Sequence, residues 1–316
     1  MNILITGCNG QLGNEMRAGM SLHDDHQYFL TDLTVEDPSL RLDITDKAAV
    51  EAFVRDRQIE LIVNCAAYTN VDKAEEDEAT ARKINSDAVQ ILAEVAAAHD
   101  ARMIHVSTDY VFDGKGFVPY REDDAVCPAT AYGRTKLEGE QALLKALPDA
   151  VIIRTAWLYS PYGNNFVKTM IRLGKERDLL NVVYDQVGSP TYARDLAVAI
   201  YAVLESEDWH PGIYHFTNEG VCSWYDFTRE IHSLYNSQHL LRYYQNNSSP
   251  NAGEVAQSDG GVWPIQCEVH PILSSEYATK TPRPHYSVLD KKKIKETFDL
   301  DIPYWRDSLA QCIARL

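Results

Sequence analysis

The sequence predicts an α/β protein with a Rossmann-type, doubly wound parallel sheet and a smaller C-terminal α/β substrate domain. Apolar runs of strand length alternate with stretches that are apolar at helical spacing as far as about residue 155. Such alternation is typical of a parallel sheet that carries helices on both faces. A glycine-rich turn follows the first strand, so we expect ligands at the carboxyl ends of the strands, where Gly7, Ala66 and Ser107 all fall.

The first predicted unit is a strand, a glycine turn and a helix. Residues 2–6 form a short apolar run, and the loop with Gly7, Gly10 and Gly13 leads into a helical stretch from Gln11. Glycines here let backbone amides and a helix N-terminus approach a pyrophosphate. The spacing is GxxGxxG, so the three glycines alone are also compatible with a plain turn. The context of strand, turn and helix favours a dinucleotide site.

Asp32 closes the next apolar run, residues 28–30. An acidic side chain at this place accepts hydrogen bonds from the adenosine ribose hydroxyls, and it favours a free 2′-hydroxyl. The sequence leaves the choice between NADH and NADPH open.

A second group of residues suggests proton transfer. Tyr132 and Lys136 are four residues apart, so a helix places them on one face, and Thr108 ends an upstream strand. A nearby ammonium favours the phenolate and lowers the pKa of a tyrosine toward the working range. Thr108 is placed to hydrogen-bond the same reacting oxygen. Beside a dinucleotide site, this pattern predicts an oxidoreductase with Thr108, Tyr132 and Lys136 as catalytic residues.

The remaining elements follow in order. We predict strands at 61–67, 103–106 and 150–154, and a helix at 87–99. The helix that carries Tyr132 continues to about residue 147, and three later helices are predicted at 166–175, 195–204 and 224–235. Residues 236–264 are polar, and we interpret them as a surface loop insertion.

These elements suggest two units. Residues 1–160 form the NAD(P)-binding domain with the catalytic residues, and later segments return to it. Residues 161–316 are mainly the substrate-binding domain.

Composition excludes several classes of function. A net charge of −16 argues against a nucleic-acid-binding surface, and no apolar stretch is long enough to span a membrane. The N-terminus begins with strand residues and lacks a basic segment, so we expect no secretion signal. The six cysteines lack metal-ligand spacing, which is typical of a reducing, cytoplasmic location.

The chain resembles the extended short-chain dehydrogenases/reductases, and among them the dTDP-4-dehydrorhamnose reductase family. The resemblance covers nearly the whole chain apart from the polar insertion. It is carried by the glycine turn, Tyr132 with Lys136, and further segments: 64–75 (NCAAYTNVDKAE), 107–114 (STDYVFDG), 154–159 (RTAWLY), 163–166 (GNNF), 185–191 (DQVGSPT) and Arg283-Pro284.

The resemblance implies reduction of the 4-keto group of dTDP-6-deoxy-L-lyxo-4-hexulose to dTDP-L-rhamnose by NADPH or NADH. Tyr132 would donate the proton, Lys136 would hold the nicotinamide ribose and lower the pKa of Tyr132, and Thr108 would orient the carbonyl. The implied cofactor residues are Gly7, Gly10, Gln11, Leu12, Gly13, Asp32, Asp43, Ile44, Ala66, Ala67, Tyr68, Thr69, Tyr132 and Lys136. The implied substrate residues are Thr108, Asp109, Tyr110, Trp157, Asn165, Gln186 and Arg283.

Some of these residues have ordinary structural explanations. Trp157 follows a buried strand and could be a core residue, and Asp109 could cap the turn after its strand. Some relatives hold Mg²⁺ through glutamates at a dimer interface. Glu15 matches one such position, but Arg194 occupies another. We therefore predict that no metal binds, Mg²⁺ included. The sequence does not decide between a monomer and a homodimer.

Two alternatives stay open. One is a different nucleotide-sugar reductase or epimerase of the same superfamily, which would share the fold and the catalytic residues. The other is a non-catalytic NADP-binding regulatory subunit, since a family relative serves as one for methionine adenosyltransferase. The intact set of Thr108, Tyr132 and Lys136 argues against a pure binding protein.

Overall fold

A computed structural model describes residues 1–247 and 264–316 of the chain. Its strands are β1 (Asn2–Thr6), β2 (Gln27–Thr31), β3 (Leu61–Asn64), β4 (Arg102–Thr108), β5 (Val151–Thr155), β6 (Leu158–Tyr159), β7 (Leu179–Val183), β8 (Val187–Gly188), β9 (Thr191–Tyr192), β10 (Gly212–His215), β11 (Cys222–Ser223), β12 (Glu268–Ile272) and β13 (Tyr286–Ser287). Its α-helices are α1 (Gln11–Gly19), α2 (Lys47–Asp56), α3 (Val71–Glu76), α4 (Glu78–Arg82), α5 (Ala88–Ala98), α6 (Ala131–Ala146), α7 (Phe166–Glu176), α8 (Ala193–Glu205), α9 (Trp224–Asn247), α10 (Lys292–Phe298) and α11 (Trp305–Ala314).

A six-stranded sheet organises the fold, in the spatial order β10-β5-β4-β3-β1-β2. Every neighbouring pair in it is parallel, which confirms the predicted Rossmann-type sheet. The chain places β2 on one side of β1 and then crosses to β3 on the other side. Because the loops after β1 and β3 leave this switch point in opposite directions, a crevice opens between them at the carboxyl edge of the sheet.

Two apolar layers cover the sheet. On one face, Ile3 and Ile5 of β1 pack with Leu196 and Ile200 of α8, and α1 joins the same cluster. On the other face, residues of α2 and α5 pack against the alternate side chains of the strands. Side chains of successive strand residues point to opposite faces, so each strand contributes to both layers.

The C-terminal half forms its own core and also returns to the sheet. Helices α7, α9 and α11 pack with the parallel pair β7 and β12 around a separate apolar cluster. Strand β10 is one of the two edge strands of the main sheet, while α8 and α10 contribute to the core on one face of the sheet. The boundary between residues 1–160 and 161–316 stays a prediction.

The expectation of a loop from residue 236 onward is wrong for residues 236–247, because α9 continues through Asn247. Its polar residues have backbone partners on neighbouring segments. Asn236 donates to the Ile265 carbonyl at 2.9 Å and accepts from the Ile265 amide at 2.7 Å, and Gln238 donates to the Ala310 carbonyl at 2.8 Å. The rest of the predicted insertion, residues 248–263, lies outside the described residues. Within 1–247 and 264–316, no helix is long and apolar enough to cross a membrane.

Candidate active site

The crevice at the carboxyl edge of the sheet contains a cavity of about 510 Å³. Its lining brings together residues from the loops after β1, β2 and β3. Predicted cofactor residues on this lining are Gly7, Gly10, Asp32, Asp43, Ile44, Ala66 and Ala67. Thr80 and Lys83 also line it and were not predicted.

Glycine is required at two positions of the turn between β1 and α1. Gly7 has a φ of +66°, and a Cβ there would lie 2.7 Å from the Ala66 nitrogen. A Cβ on Gly13 would lie 2.3 Å from the Gly7 carbonyl oxygen. The turn therefore packs α1 tightly against β1 and β3. No side chain caps the N-terminus of α1 at Gly10, so its first amides are available to an anion.

The two acidic residues of this cavity are held by short local hydrogen bonds. Asp32 accepts from the Thr34 amide at 3.0 Å and from the Thr34 hydroxyl at 2.8 Å. Asp43 accepts from the amide and the hydroxyl of Thr45 at 2.9 and 2.8 Å. These bonds orient both carboxylates at the rim, where a ribose or an adenine edge could meet them.

Several predicted cofactor residues lie beside the cavity but not on its lining. The Leu12 side chain is 5% exposed and packs in the core, so only its backbone is left to face a cofactor. Gln11 accepts a hydrogen bond from Asn165 at 2.9 Å. The amide and the carbonyl of Tyr68 both bond to the Asn85 side chain, at 2.8 and 3.0 Å. Thr69 is exposed. Their cofactor roles stay predictions.

Thr108 and the N-terminal part of α6 meet next to this crevice. Thr108 ends β4, and its hydroxyl donates to Asp109 at 2.9 Å. Helix α6 begins where the Thr130 hydroxyl accepts from the Gly133 amide at 3.1 Å, and Glu75 accepts from the Ala131 amide at 2.6 Å. These caps fix the first turn of α6, which carries Tyr132.

Tyr132 differs from expectation in its electrostatics. Burial raises its pKa to about 12, while a hydrogen bond with Thr108 lowers it and the neighbouring carboxyl of Asp109 raises it. The expected lowering by Lys136 is wrong for this structure. The reason is geometric: the Lys136 ammonium position is turned toward the Val106 carbonyl, at 2.8 Å, and toward His105, at 3.2 Å.

Asp109 is a buried carboxyl at the same place. It is 5% exposed, and burial raises its pKa to about 6, opposed by hydrogen bonds with Ser287 and Thr108. Its Oδ2 atom and the Ser107 hydroxyl are buried without a hydrogen-bond partner. Unpaired buried polar atoms are costly, and their concentration here is typical of a site prepared for a ligand.

A second cavity, of about 580 Å³, lies on the side of the C-terminal lobe. Predicted substrate residues on its lining are Tyr110, Trp157, Gln186 and Arg283. The lining also includes Trp224, Lys280 and Ser287, which no sequence motif indicated. Tyr110 packs edge-on against Tyr132 with ring centroids 5.4 Å apart, so this cavity adjoins the catalytic helix.

Trp157 is partly buried against the C-terminal core and also lines the second cavity. Its φ is +50°, a strained value for a bulky residue. Its ring stacks on Trp224 at 3.5 Å, and a Cβ on Gly188 would lie 2.6 Å from the indole. The tryptophan is therefore held between α9 and β8, and it lines the cavity together with Trp224. This placement suits contact with a planar or sugar ring.

Asn165 is not brought into this cavity. Its side chain caps α7 by accepting from the Lys168 amide at 3.1 Å, and it donates to the Ser160 carbonyl at 2.7 Å. The hydrogen-bonding capacity of Asn165 is thus used by the protein. A substrate contact for Asn165 stays a prediction without structural support.

Two ion pairs join α3 to the segment that carries Arg283. Arg283 donates to Asp72 at 2.7 Å, and Lys280 donates to Glu76 at 2.7 Å. One nitrogen of Arg283 and one oxygen of Asp72 are buried without partners. The carboxylates of Asp72 and Glu76 therefore partly neutralise the cations on the rim of the cavity.

Glu15, the residue that matches a metal-ligand position of some relatives, forms an ion pair with Arg315. Glu15 is buried, and both its carboxylate oxygens accept from Arg315 at 2.9 Å. In the described part of the chain, no group of three or more histidine, cysteine or acidic residues could hold a metal ion. The donor set does not fit a cation at Glu15. The absence of a metal stays a prediction.

The parallel sheet, the glycine turn at its switch point and the tyrosine–lysine helix define the class of short-chain dehydrogenases/reductases. The RmlD substrate binding domain model matches residues 1–316. The chain therefore belongs to this family.

Three similar proteins illustrate the match. The dTDP-4-dehydrorhamnose reductase of Aggregatibacter actinomycetemcomitans is 39% identical, over 97% of this chain and 96% of that protein. The "Probable dTDP-4,6-dihydroxy-2-methyloxan-3-one 4-ketoreductase" of Streptomyces antibioticus is 38% identical, over 98% and 94%. The crystal structure of the Bacillus anthracis dTDP-4-dehydrorhamnose reductase, a complex with NADP, is 33% identical with a TM-score of 0.84 over 99% of both chains.

The residues present fit a nicotinamide dinucleotide. The turn leaves no room for a Cβ at Gly7 or Gly13, the start of α1 is uncapped, and an elongated cavity runs from that turn to Asp43 and Ile44. This combination offers amide donors for a pyrophosphate and oxygen acceptors for a ribose.

Proposed function

We propose that this chain reduces the 4-keto group of dTDP-6-deoxy-L-lyxo-4-hexulose to give dTDP-L-rhamnose, with NADPH or NADH as the reductant. The observation that carries the proposal is the contact of Tyr132 with Thr108 and with Tyr110, a residue that lines the same cavity as Trp157 and Arg283. The names of the relatives support the substrate.

NAD(P)H, when bound along Gly7, Gly10 and Asp32, supplies a hydride to the sugar carbonyl carbon. Tyr132 supplies the proton to the carbonyl oxygen. Because its pKa is raised to about 12, Tyr132 keeps its proton at neutral pH, as a proton donor must. The Thr108 hydroxyl hydrogen-bonds the same carbonyl oxygen as Tyr132 and thereby fixes the position of the sugar carbonyl.

The second cavity accounts for recognition of the nucleotide sugar. Arg283 and Lys280 offer positive charge to a pyrophosphate, although each is now paired with a carboxylate of α3. Trp157 offers an aromatic face, and Gln186, which is 6% exposed, offers an amide. We further propose that the enzyme works in the cytoplasm as a monomer or homodimer.

A variant of Tyr132 tests the proposed chemistry. Tyr132→Phe removes the hydroxyl and keeps the ring, so turnover should fall about 10²- to 10⁴-fold while NAD(P)H still binds. The assay follows NAD(P)H absorbance with freshly generated dTDP-4-keto sugar, and fluorescence measures cofactor binding. Tyr304→Phe is the matched control, because that ring is 46% exposed and lies at the start of α11. A Tyr132→Phe variant with more than half the normal kcat would disprove the assignment.

A second candidate is a 4-ketoreductase for another dTDP-linked keto sugar. It is favoured by the Streptomyces antibioticus relative, whose identity of 38% is nearly the same as the 39% of the rhamnose-forming relative. A panel of dTDP-4-keto sugars separates the two, by comparison of kcat/KM. We expect the 6-deoxy-L-lyxo sugar to give the highest value.

A further inference from the structure

A positively charged side chain without a carboxylate partner lies close to the ribose-facing rim of the dinucleotide cavity. Arg17 is exposed and belongs to the last turn of α1. Its guanidinium donates to three neutral acceptors, Asn14 Oδ1 at 3.4 Å, Cys8 Sγ at 3.3 Å and Asn9 Oδ1 at 3.2 Å. Within residues 1–247 and 264–316, Arg17 forms no ion pair. Its positive charge is therefore free to meet an anionic ligand.

The Arg17 side chain is directed toward the glycine turn and not toward the end of its own helix. A cation in the last turn of a helix commonly serves the free carbonyl groups there. Arg17 instead contacts residues 8 and 9, which come before α1 begins at Gln11. Side chains on a helix lean toward its N-terminus, and this lean brings Arg17 over the loop that leaves β1. The guanidinium is thus attached to the same turn that carries Gly7 and Gly10.

Asn9 connects this guanidinium with the carboxylate of Asp32. The Asn9 backbone amide donates to Asp32 Oδ2 at 3.4 Å, and the Asn9 side-chain NH₂ group donates to the Thr34 hydroxyl at 2.8 Å. That hydroxyl in turn donates to Asp32 Oδ1 at 2.8 Å. Asn9, Arg17, Asp32 and Thr34 therefore form one connected cluster after the ends of β1 and β2, and Asp32 is its member on the cavity lining.

The thiol of Cys8 is influenced by both charges of this cluster. Burial raises the pKa of Cys8, Arg17 lowers it, and Asp32 raises it further. Because such effects weaken with distance, the cation and the carboxylate lie close enough to act on one ligand. They do so without neutralising each other in a direct ion pair.

NADH and NADPH differ only by the phosphate on the 2′-oxygen of the adenosine ribose. A carboxylate that accepts from the 2′-hydroxyl favours NADH, because it repels the phosphate. A guanidinium beside that carboxylate has the opposite effect, since its planar N–H groups bind phosphate oxygens at two points and its charge compensates the carboxylate. A phosphate is also a stronger acceptor for Arg17 than the neutral oxygens and the sulfur that it contacts in this structure.

We propose that Arg17, together with the side chains of Asn9 and Thr34, forms the subsite for the adenosine 2′-phosphate of NADPH. Asp32 binds the free 2′-hydroxyl of NADH, so the chain accepts both cofactors. The exposed guanidinium turns from Asn9 Oδ1 to the phosphate, and the Asn9 NH₂ group and the Thr34 hydroxyl become further donors to it. This inference deepens the proposed function, because it rests on the dinucleotide cavity but not on the identity of the sugar.

Two other cations near the cavity are rival partners for the phosphate. Arg41 is joined to Asp32 by a backbone bridge, but its guanidinium donates to the Val35 carbonyl at 3.3 Å. Lys83 lines the cavity, but in the part of the chain that the structure describes its ammonium has no hydrogen bond to the partners of Asp32. Neither is connected with the Asp32 carboxylate as Arg17 is. Arg41→Gln and Lys83→Gln therefore serve as comparison variants that remove the same charge.

Binding of NADPH and of NADH is measured by fluorescence, with no keto sugar present, for the normal protein, Arg17→Gln and Arg17→Lys. Loss of one charge-assisted contact weakens binding by about 10- to 100-fold. We expect Arg17→Gln to raise the Kd of NADPH by about this factor and to change the Kd of NADH by no more than about twofold. Arg17→Lys keeps the charge and should lose only part of the NADPH affinity. Equal changes for the two cofactors, or no change for either, would overturn the proposal.

A fragment of the cofactor tests the position of the phosphate. 2′,5′-ADP carries the 2′-phosphate and 5′-AMP does not, and neither contains a nicotinamide. Isothermal titration calorimetry gives the ratio of the two affinities, which should shift against 2′,5′-ADP by about 10- to 100-fold in Arg17→Gln. The ratio should stay unchanged in Arg41→Gln and Lys83→Gln. A larger shift in either comparison variant would assign the phosphate to that residue and refute the role of Arg17.

The outcome is separable from that of the proposed function. NADPH binding that depends on Arg17, with no reduction of any dTDP-4-keto sugar, would leave the inference standing and reject the function. Reduction of the sugar with a cofactor preference that Arg17→Gln does not change would do the opposite.

Discussion

The buried ion pair between Glu140 and Arg154 gives a prediction whose size can be worked out. It joins α6 to β5 through two short contacts, and the side chains are 2% and 3% exposed. Glu140→Gln removes the charge and keeps the shape, so the Arg154 guanidinium stays buried without a counter-charge. Breaking a buried pair in this way costs about 3–5 kcal/mol of the free energy of unfolding.

The expected loss can be expressed as a melting temperature. The entropy of unfolding is about 2.1 cal/mol/K for each residue, so it is about 0.7 kcal/mol/K for the 316 residues. Glu140→Gln should therefore lower Tm by about 5–8 °C. Differential scanning calorimetry measures the shift.

An exposed ion pair supplies the matched control. Arg172 and Glu176 lie 2.8 Å apart, but their side chains are 59% and 53% exposed. Such a pair contributes roughly 0.5 kcal/mol or less, so Glu176→Gln should change Tm by no more than about 1 °C. Equal shifts in the two variants would show that burial of the Glu140 pair is not what stabilises the fold.

Three further predictions concern the choice of cofactor, the pH dependence of stability that Asp109 causes, and the polar residues 248–263. Asp32→Ala removes repulsion of a 2′-phosphate, so the ratio of kcat/KM for NADPH to that for NADH should rise; an unchanged ratio would show that Asp32 does not contact the ribose. Burial raises the pKa of Asp109 from 3.8 to about 6, so the folded state holds this proton more tightly than the unfolded state. The resulting contribution to the free energy of unfolding is present at low pH and is lost as pH rises from about 4 to 6. Asp109→Asn should consequently match the normal protein near pH 4 and exceed it at pH 7 by about 3 kcal/mol in urea unfolding, and an equal difference at both pH values would contradict this. Replacing residues 248–263 with a short Gly/Ser linker should leave Tm nearly unchanged, because long surface loops add little closure entropy; insoluble protein would show that the segment belongs to the core.

Much of the dinucleotide side was predictable because its signals are local. The turn at Gly7 follows its strand directly, and Tyr132 and Lys136 are separated by one helical turn. Such patterns depend on neighbours within a few residues, where sterics and helical spacing decide the geometry. The parallel sheet confirms the predicted fold, while the roles of these residues stay predictions.

The substrate side was less predictable because its contacts are distant in sequence. Trp157 stacks on Trp224, and Arg283 pairs with Asp72 across 211 positions. No periodicity in the chain indicates such partners. No sequence pattern connects His105 with the site, whereas in the structure its Nε2 lies 3.2 Å from Lys136 Nζ. Similarly, Asn236 looked like a loop residue until its bonds to Ile265 were seen.

The position of β10 has a consequence for any attempt to recombine this protein with a relative. The edge strand next to β5, β10, consists of residues 212–215 and follows α7 and β7 in the sequence, although these two elements belong to the C-terminal lobe. The chain therefore passes between its two lobes more than once, and no single splice point separates them. A chimera joined near residue 160 would keep the donor's edge strand on the recipient's sheet at β5. Exchanging substrate preference between relatives thus requires transplanting several discontinuous segments, and a protease cut near residue 160 should not release an independently folded half.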